Sequence, residues 1–320
     1  TRDEIKKYYI DYLKLAASCE NNCSVDKVTD AQVESMLDMM AQNYDGYCFD
    51  EDYEKKVFST WSVNKFFQSV VSNKFVYFGE YWYDNGGLPS ILVNYLKTYE
   101  LNIFEYLDKD KFLKVSSDDF KNPTALTTIN QNVLMCQTGY LTLRSDLNKT
   151  STVALGIPNG EIYKALNRLL ANNIFKGNTD ITDDYGRSLL EVGTVDDIIN
   201  LFNSALNSVS YDNYPIVSES SVQNMLKLYL LGAHQKVLSE LHEAKGRADL
   251  VVNTDNRRIV FEFKYAKNET EAKAKLLDAV EQIKTRDYGN IVPNKTELLR
   301  IAAVFNAAPK VRAFTEYQEV

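Results

Sequence analysis

The run Ile259-Val260-Phe261-Glu262-Phe263-Lys264-Tyr265 places an acid and a base inside an apolar segment of strand length. Strand side chains alternate between faces, so Glu262 and Lys264 point one way while Phe261, Phe263 and Tyr265 point the other. A second apolar run, Ala248-Asp249-Leu250-Val251-Val252, carries Asp249 upstream. A fold that pairs these strands gathers two carboxylates and a lysine on one face. That set suits a hard divalent cation and activation of a water beside it, and it reads as a metal-dependent phosphodiesterase site.

The tripeptide Glu-x-Lys carries little weight alone, because Glu4-Ile5-Lys6, Glu54-Lys55-Lys56, Glu243-Ala244-Lys245 and Glu271-Ala272-Lys273 also match it. The pairs at 4 and 271 fall on predicted helices, the pair at 54 in a charged run, and Glu243 in a tight loop. Order supplies the specificity: a helix led by a glutamate, a strand, a Gly-Arg turn, the Asp249 strand, a hairpin and the Glu262 strand.

Zinc sites and histidine-based triads are poorly supplied, since His234 and His242 are the only histidines and Cys19, Cys23, Cys48 and Cys136 are scattered. Reduced thiols, the absence of a signal peptide and the lack of a bilayer-length apolar stretch predict a cytoplasmic protein with no membrane partner. No Gly-x-x-x-x-Gly-Lys-Ser/Thr loop occurs, so nucleotide binding is not expected. The net charge is −8, from 36 Lys and Arg against 44 Asp and Glu. Residues 216–320 hold 16 of those bases and 14 of those acids, leaving 20 against 30 for residues 1–215. The acidic bias therefore belongs to the first two-thirds, and the last third tolerates a polyanionic substrate.

Three regions are expected at 320 residues. Residues 1–115 read as helical, with Ile5, Tyr8, Tyr9, Tyr12 and Leu13, and then Val33, Met36, Leu37 and Met40, at helical spacing. Asn43-Tyr44-Asp45-Gly46-Tyr47 holds a turn, Trp61-Ser62-Val63 opens a helix, and Gly86-Gly87 breaks one. Residues 116–215 read as a winged-helix-like connector. Its parts are a helix near 127–136, strands at 139–143 and 152–155, a helix bearing Ile162, Leu166, Leu169 and Leu170, and a helix over 195–209. A linker at Tyr211–Pro215 leads to residues 216–320, which read αβββαββ. There Val222, Met225, Leu226 and Tyr229 mark a helix stopped by Gly232, followed by strands near 236–242, 247–253 and 257–265. A helix started by Asn268 with Glu271 bears Ala272, Leu276, Ala279 and Ile283, and strands near 298–305 and 310–317 close the sheet.

Gly246-Arg247-Ala248-Asp249, Glu262-Phe263-Lys264 and Ala279-Val280-Glu281-Gln282-Ile283 running to Tyr288 resemble the motifs of the PD-(D/E)xK nuclease superfamily. The chain is most similar to the bacterial branch that carries such a domain behind an AAA-ATPase-like domain. Upstream, Asn43–Tyr47, Tyr81-Trp82, Gln137-Thr138-Gly139-Tyr140-Leu141 and Leu155–Glu161 look like that branch too. Members of the branch begin with a phosphate-loop region, so Thr1 is expected near the C-terminal end of the ATPase-like part and the chain is expected to be a fragment.

The resemblance implies an α+β multidomain protein whose last domain is a restriction-endonuclease-like α/β sandwich with an αβββαβ core. It implies a Mg²⁺- or Mn²⁺-dependent hydrolase that cleaves phosphodiester bonds, with DNA favoured as the nucleic-acid partner. Asp249, Glu262 and the Phe263 carbonyl would hold the cation, Glu219 would complete or support that shell, and Lys264 would orient or deprotonate the attacking water. Gln282 would reach the same cleft from its helix. A catalytically idle domain serving as a binding arm is one competing expectation, and a scaffold in which residues 1–215 assemble subunits, as a homo-oligomer through the N-terminal region, with the nuclease as effector arm, is another. Glu240, His242 and Arg247 admit both structural and functional roles.

Overall fold

The computed structural model describes residues 1–84, 90–99, 101–122, 125, 128–145, 151–175, 184–233, 235–243, 246–286 and 297–320. They form two compact units, Thr1–Leu166 and Asn167–Val320.

The first unit opens with α1 (Arg2–Glu20), α2 (Asp30–Tyr44) and α3 (Thr60–Asn73). Thr1 with Glu4, and Thr29 with Gln32, form capping boxes, while the Ser59 hydroxyl accepts the Ser62 amide at the start of α3. Leu13, Met36, Leu37, Met40, Tyr44, Phe66 and Val70 meet in one core, each fully buried side chain of this size contributing about 1.5–3 kcal/mol. The aromatic stripe of α1 is wider than the face it buries. Ile5 and Leu13 go inside and Tyr9 lies against Phe67, but Tyr8 is 65% exposed with the Lys7 ammonium over its ring.

The chain continues through α4 (Tyr81–Asp84), α5 (Ser90–Thr98), β1 (Leu113–Ser116), α6 (Ser117–Lys121), α7 (Gln131–Gln137), β2 (Thr142–Leu143), β3 (Thr152–Gly156) and α8 (Gly160–Ile174). The expected two-stranded wing is a three-stranded antiparallel sheet in the order β1-β3-β2. The sequence reading lacks β1 because its four residues, Leu-Lys-Val-Ser, carry too short an alternation to register. The strand expected at 139–143 shrinks to Thr142–Leu143, since Gly139 takes a positive φ of 84° that ends regular pairing.

In the second unit, α9 (Asp184–Val192) and α10 (Val195–Ser208) precede α11 (Glu219–Gly232), β4 (Lys236–Glu243), β5 (Gly246–Asn253), β6 (Arg257–Ala266), α12 (Glu269–Arg286), β7 (Glu297–Asn306) and β8 (Ala313–Glu319). Glu243, expected in a tight loop, ends β4 and pairs with Gly246. The five strands form one sheet in chain order, antiparallel except for the parallel pair β6–β7. A parallel pair needs a crossover, and α12 supplies it. Val251, Val260 and Ala302 meet Ala279, Val280 and Ile283 of α12 in one cluster, and Ala266 and Val304 meet Ala272 in another. Helix α10 covers the opposite face: Phe202 lies 5.3 Å from Phe261 between ring centroids, and the Asn203 amide exchanges hydrogen bonds with the Phe314 backbone. At the end of α11, a Cβ on Gly232 would stand 2.3 Å from the Ala171 Cβ, so glycine permits this close approach to the last turns of α8, which belong to the second unit. Among the described residues no helix is long and apolar enough to cross a membrane.

Candidate active site

The site grows from the middle of β6. Its Phe261 and Phe263 rings stack with each other on the α10 face, and Phe263 reaches Phe314 at 5.6 Å between centroids. Alternation then turns Glu262 and Lys264 to the face covered by α12. Glu262 is fully buried, and its Oε1 accepts a hydrogen bond from Lys264 Nζ at 2.8 Å. Glu262 Oε2 is buried with no hydrogen-bond partner among the described residues.

Asp249 enters from β5. Pairing between β5 and β6 stops at Leu250–Phe261, and one residue further on the Asp249 carboxylate replaces the ladder. Its Oδ2 accepts the Phe263 amide at 2.8 Å. The amide and carbonyl of one extended residue face the same neighbouring strand. The Phe263 carbonyl therefore faces the β5 side, where Asp249 stands.

Helix α11 contributes two further side chains. Ser218 caps it, and Glu219, its first residue, lies 3.5 Å from Lys264 Nζ. Gln223 follows one turn later on the same face, near enough to Asp249 for its side chain to favour the charged carboxylate. Gln223 is not among the residues that the sequence pattern points to. The signal was the four-residue spacing from Glu219, masked by the buried neighbours Val222, Met225 and Leu226 that define the helix pattern.

Three carboxylates around one lysine perturb one another. Burial pushes the Glu262 carboxyl up to about 7, with the Asp249 charge adding and Lys264 pulling back. Burial also raises Asp249, opposed by the Phe263 amide and the Lys264 charge. For Lys264, burial works downward, but the Glu262 hydrogen bond and the surrounding carboxylates outweigh it and hold the ammonium above its ordinary value. Lys264 is therefore a fixed cation at neutral pH.

The structure thus brings Asp249, Glu262, Lys264, Phe263 and Glu219 together. Gln282 lies half-buried on α12, next to buried Ile283. The side chains of Glu240, His242 and Arg247, and the residues His234, Gly86, Gly87 and Tyr288, lie outside the described residues. Among the described residues no three His, Cys, Asp or Glu side chains form a ready-made metal cage. Two carboxylates and a main-chain carbonyl still fit Mg²⁺, which keeps several waters and takes few protein ligands. The buried, unpartnered Glu262 Oε2 fits the same role, because a buried charge without a partner is costly.

Residues 217–314 match a family model described as the PD-(D/E)XK nuclease superfamily. The matched segment begins just before α11 and ends in β8, so it contains every side chain of the cluster. No curated protein and no solved structure matches the chain.

Proposed function

We propose that the C-terminal unit is a divalent-metal-dependent nuclease that hydrolyses phosphodiester bonds, with DNA as its substrate. The observation that carries this reading is the buried Glu262, bonded to Lys264 through one oxygen and unpartnered at the other, beside an Asp249 fixed by the Phe263 amide.

Asp249, Glu262 and the Phe263 carbonyl would hold Mg²⁺ or Mn²⁺. When bound, the cation supplies Lewis acidity towards the phosphodiester and acidifies a water. Lys264 keeps its proton at Nζ, so it orients the attacking water and stabilises the charge that builds on the phosphoryl oxygens. Deprotonation of that water by Lys264 is disfavoured, because an ammonium held by Glu262 and Glu219 has no vacancy for a proton. Glu219 sets the lysine's position from α11, and Gln282 borders the cleft from α12.

The test is cleavage of plasmid and single-stranded DNA by the purified chain, with Mn²⁺ and with EDTA, for wild type and Lys264→Ala. Cleavage that needs the metal and the lysine supports the reading. A wild type that binds DNA but never cleaves it would leave a binding arm in place of an enzyme.

A further inference from the structure

Among the described residues the guanidinium of Arg312 has no carboxylate partner. It lies 3.6 Å over the centroid of the Tyr211 ring, and it is half-buried. Its Nε is buried with no hydrogen-bond partner, and no acceptor or carboxylate among the described residues takes up the remaining donors. Other cations in the chain do have such partners: Arg2 pairs with Glu34 and Asp38, and Arg257 with Glu297. Guanidinium is a five-donor fork matched to phosphate, and stacking on an aromatic face fixes its plane before any ligand arrives.

The backbone also departs from the ordinary here. Arg312 has a φ of 46°, a left-handed conformation that favours glycine or asparagine. It closes the turn into β8, with its amide and that of Val311 both directed to the Ala308 carbonyl. A cheaper residue would make the same turn, so the turn itself does not account for an arginine. Tyr211 is likewise fixed, its hydroxyl donating to the Ile216 carbonyl at 2.8 Å.

The turn stands at the C-terminal ends of β6 and β7, the end of the sheet nearer to Lys264. Lys264 pairs with Val304, Ala266 with Asn306, and Asn306 with Ala313. Arg312 is thus one residue beyond the end of the ladder and two strands away from β6. Two strand spacings are about 10 Å and three residues along the strand about another 10 Å, together roughly 14 Å, or about four nucleotides along one strand of a duplex. Lys267 and Lys310 are exposed at the same end.

We propose that the stacked pair Arg312–Tyr211 is a phosphate-binding clamp, and that it holds the nucleic-acid backbone a few nucleotides from the bond being cut. The inference rests on the nuclease reading and adds where the substrate lies. Arg312 does not touch the reacting atoms, so it contributes to affinity and to salt dependence.

The test is fluorescence anisotropy of labelled single-stranded and duplex oligonucleotides in EDTA, over a series of KCl concentrations, beside a Mn²⁺ cleavage assay. Arg312→Asn suits the left-handed backbone and removes the charge. It should weaken binding several-fold and reduce the slope of log K against log salt by about one. It should raise KM and leave kcat within about twofold. Arg312→Lys should keep part of the slope, and Tyr211→Phe, which retains the ring but loses the bond that fixes it, should weaken binding less than Arg312→Asn does. An Arg312→Asn protein that melts earlier but keeps the wild-type affinity and salt slope would make the pair a brace and overturn the clamp. A wild type that neither binds nor cleaves would overturn the nuclease reading, and the clamp with it.

Discussion

The Phe263 amide donates to Asp249 Oδ2 at 2.8 Å, one residue past the last β5–β6 pair. One carboxylate thus does two jobs, completing the backbone hydrogen bonding of β6 and facing the cluster around Lys264. The two jobs are separable by mutation. Asp249→Asn keeps an acceptor for the amide, so its melting temperature should stay near wild type while Mn²⁺ affinity falls. Asp249→Ala leaves the buried amide unsatisfied and should cost a further 1–3 kcal/mol, roughly. Denaturant melts of both variants, with Mn²⁺ titration followed by electron paramagnetic resonance, separate the effects. Equal stability of the two variants would show that the hydrogen bond is not needed to hold the strand.

Gly46 joins two segments that look unrelated in sequence. It has a φ of 96°, and a Cβ there would stand 2.3 Å from the Pro158 carbonyl oxygen. Nearby, the Asn159 side chain donates to the Asp45 carbonyl at 2.8 Å and accepts the Ile162 amide at 3.0 Å. Gly46→Ala should therefore destabilise the first unit by roughly 1–3 kcal/mol for the backbone alone, with the close contact adding to that. Thermal melting that matches wild type would refute it.

The second unit was legible because its elements announce themselves at short range. Glu262 and Lys264 alternate with large aromatics, Ser218 and Asn268 stand just before helices, and Thr254 caps the β5–β6 turn through the Arg257 backbone. The first unit was harder to read. Leu113–Ser116 joins β3 across a separation that falls from 42 residues at Leu113↔Leu155 to 36 at Ser116↔Thr152, and no local pattern encodes such a pairing. The Gly46–Pro158 contact and the reach of Gln223 to Asp249 are likewise tertiary. In the site, the strand-borne charges could be read from period two, whereas the support from α11 needed the helix to be placed over the strand ends.

Glu161 offers a pH test independent of the active site. The carboxylate is 1% exposed in the first turn of α8, accepting Ser62 Oγ at 2.7 Å and the Trp82 amide at 2.8 Å. Burial pushes it up to about 7, and Glu80 adds to the rise, while those two hydrogen bonds oppose it. The folded state therefore holds a proton that the unfolded chain releases near its ordinary value of 4.5. Stability from this group is complete below that value and is lost as pH rises through about 7. Relative to Glu161→Gln, the wild type should lose melting temperature between pH 5 and pH 8, roughly the window set by these two pKa values. Parallel curves for the two proteins would refute the assignment.

The role of Lys264 is the sharpest test of the chemistry. Its ammonium is tied to Glu262 at 2.8 Å and lies 3.5 Å from Glu219, so the proposed mechanism uses it as a resident positive charge and not as a base. Lys264→Ala should lower kcat by about 100-fold to 1,000-fold, the scale seen when one stabiliser of developing charge is removed. Mn²⁺ binding should persist, because both carboxylates remain and a repelling cation has gone. Glu262→Ala should lose metal affinity together with activity. Lys264→Arg keeps the charge but replaces a compact ammonium with a planar fork, in a site where the lysine side chain is only 15% exposed. It should bind Mn²⁺ and still cleave poorly. Single-turnover cleavage and Mn²⁺ titration on the four proteins check the set. If Lys264→Ala cleaves as fast as wild type in a contaminant-free preparation, the chemistry lies elsewhere. If Lys264→Arg is fully active, charge alone suffices and the shape argument fails.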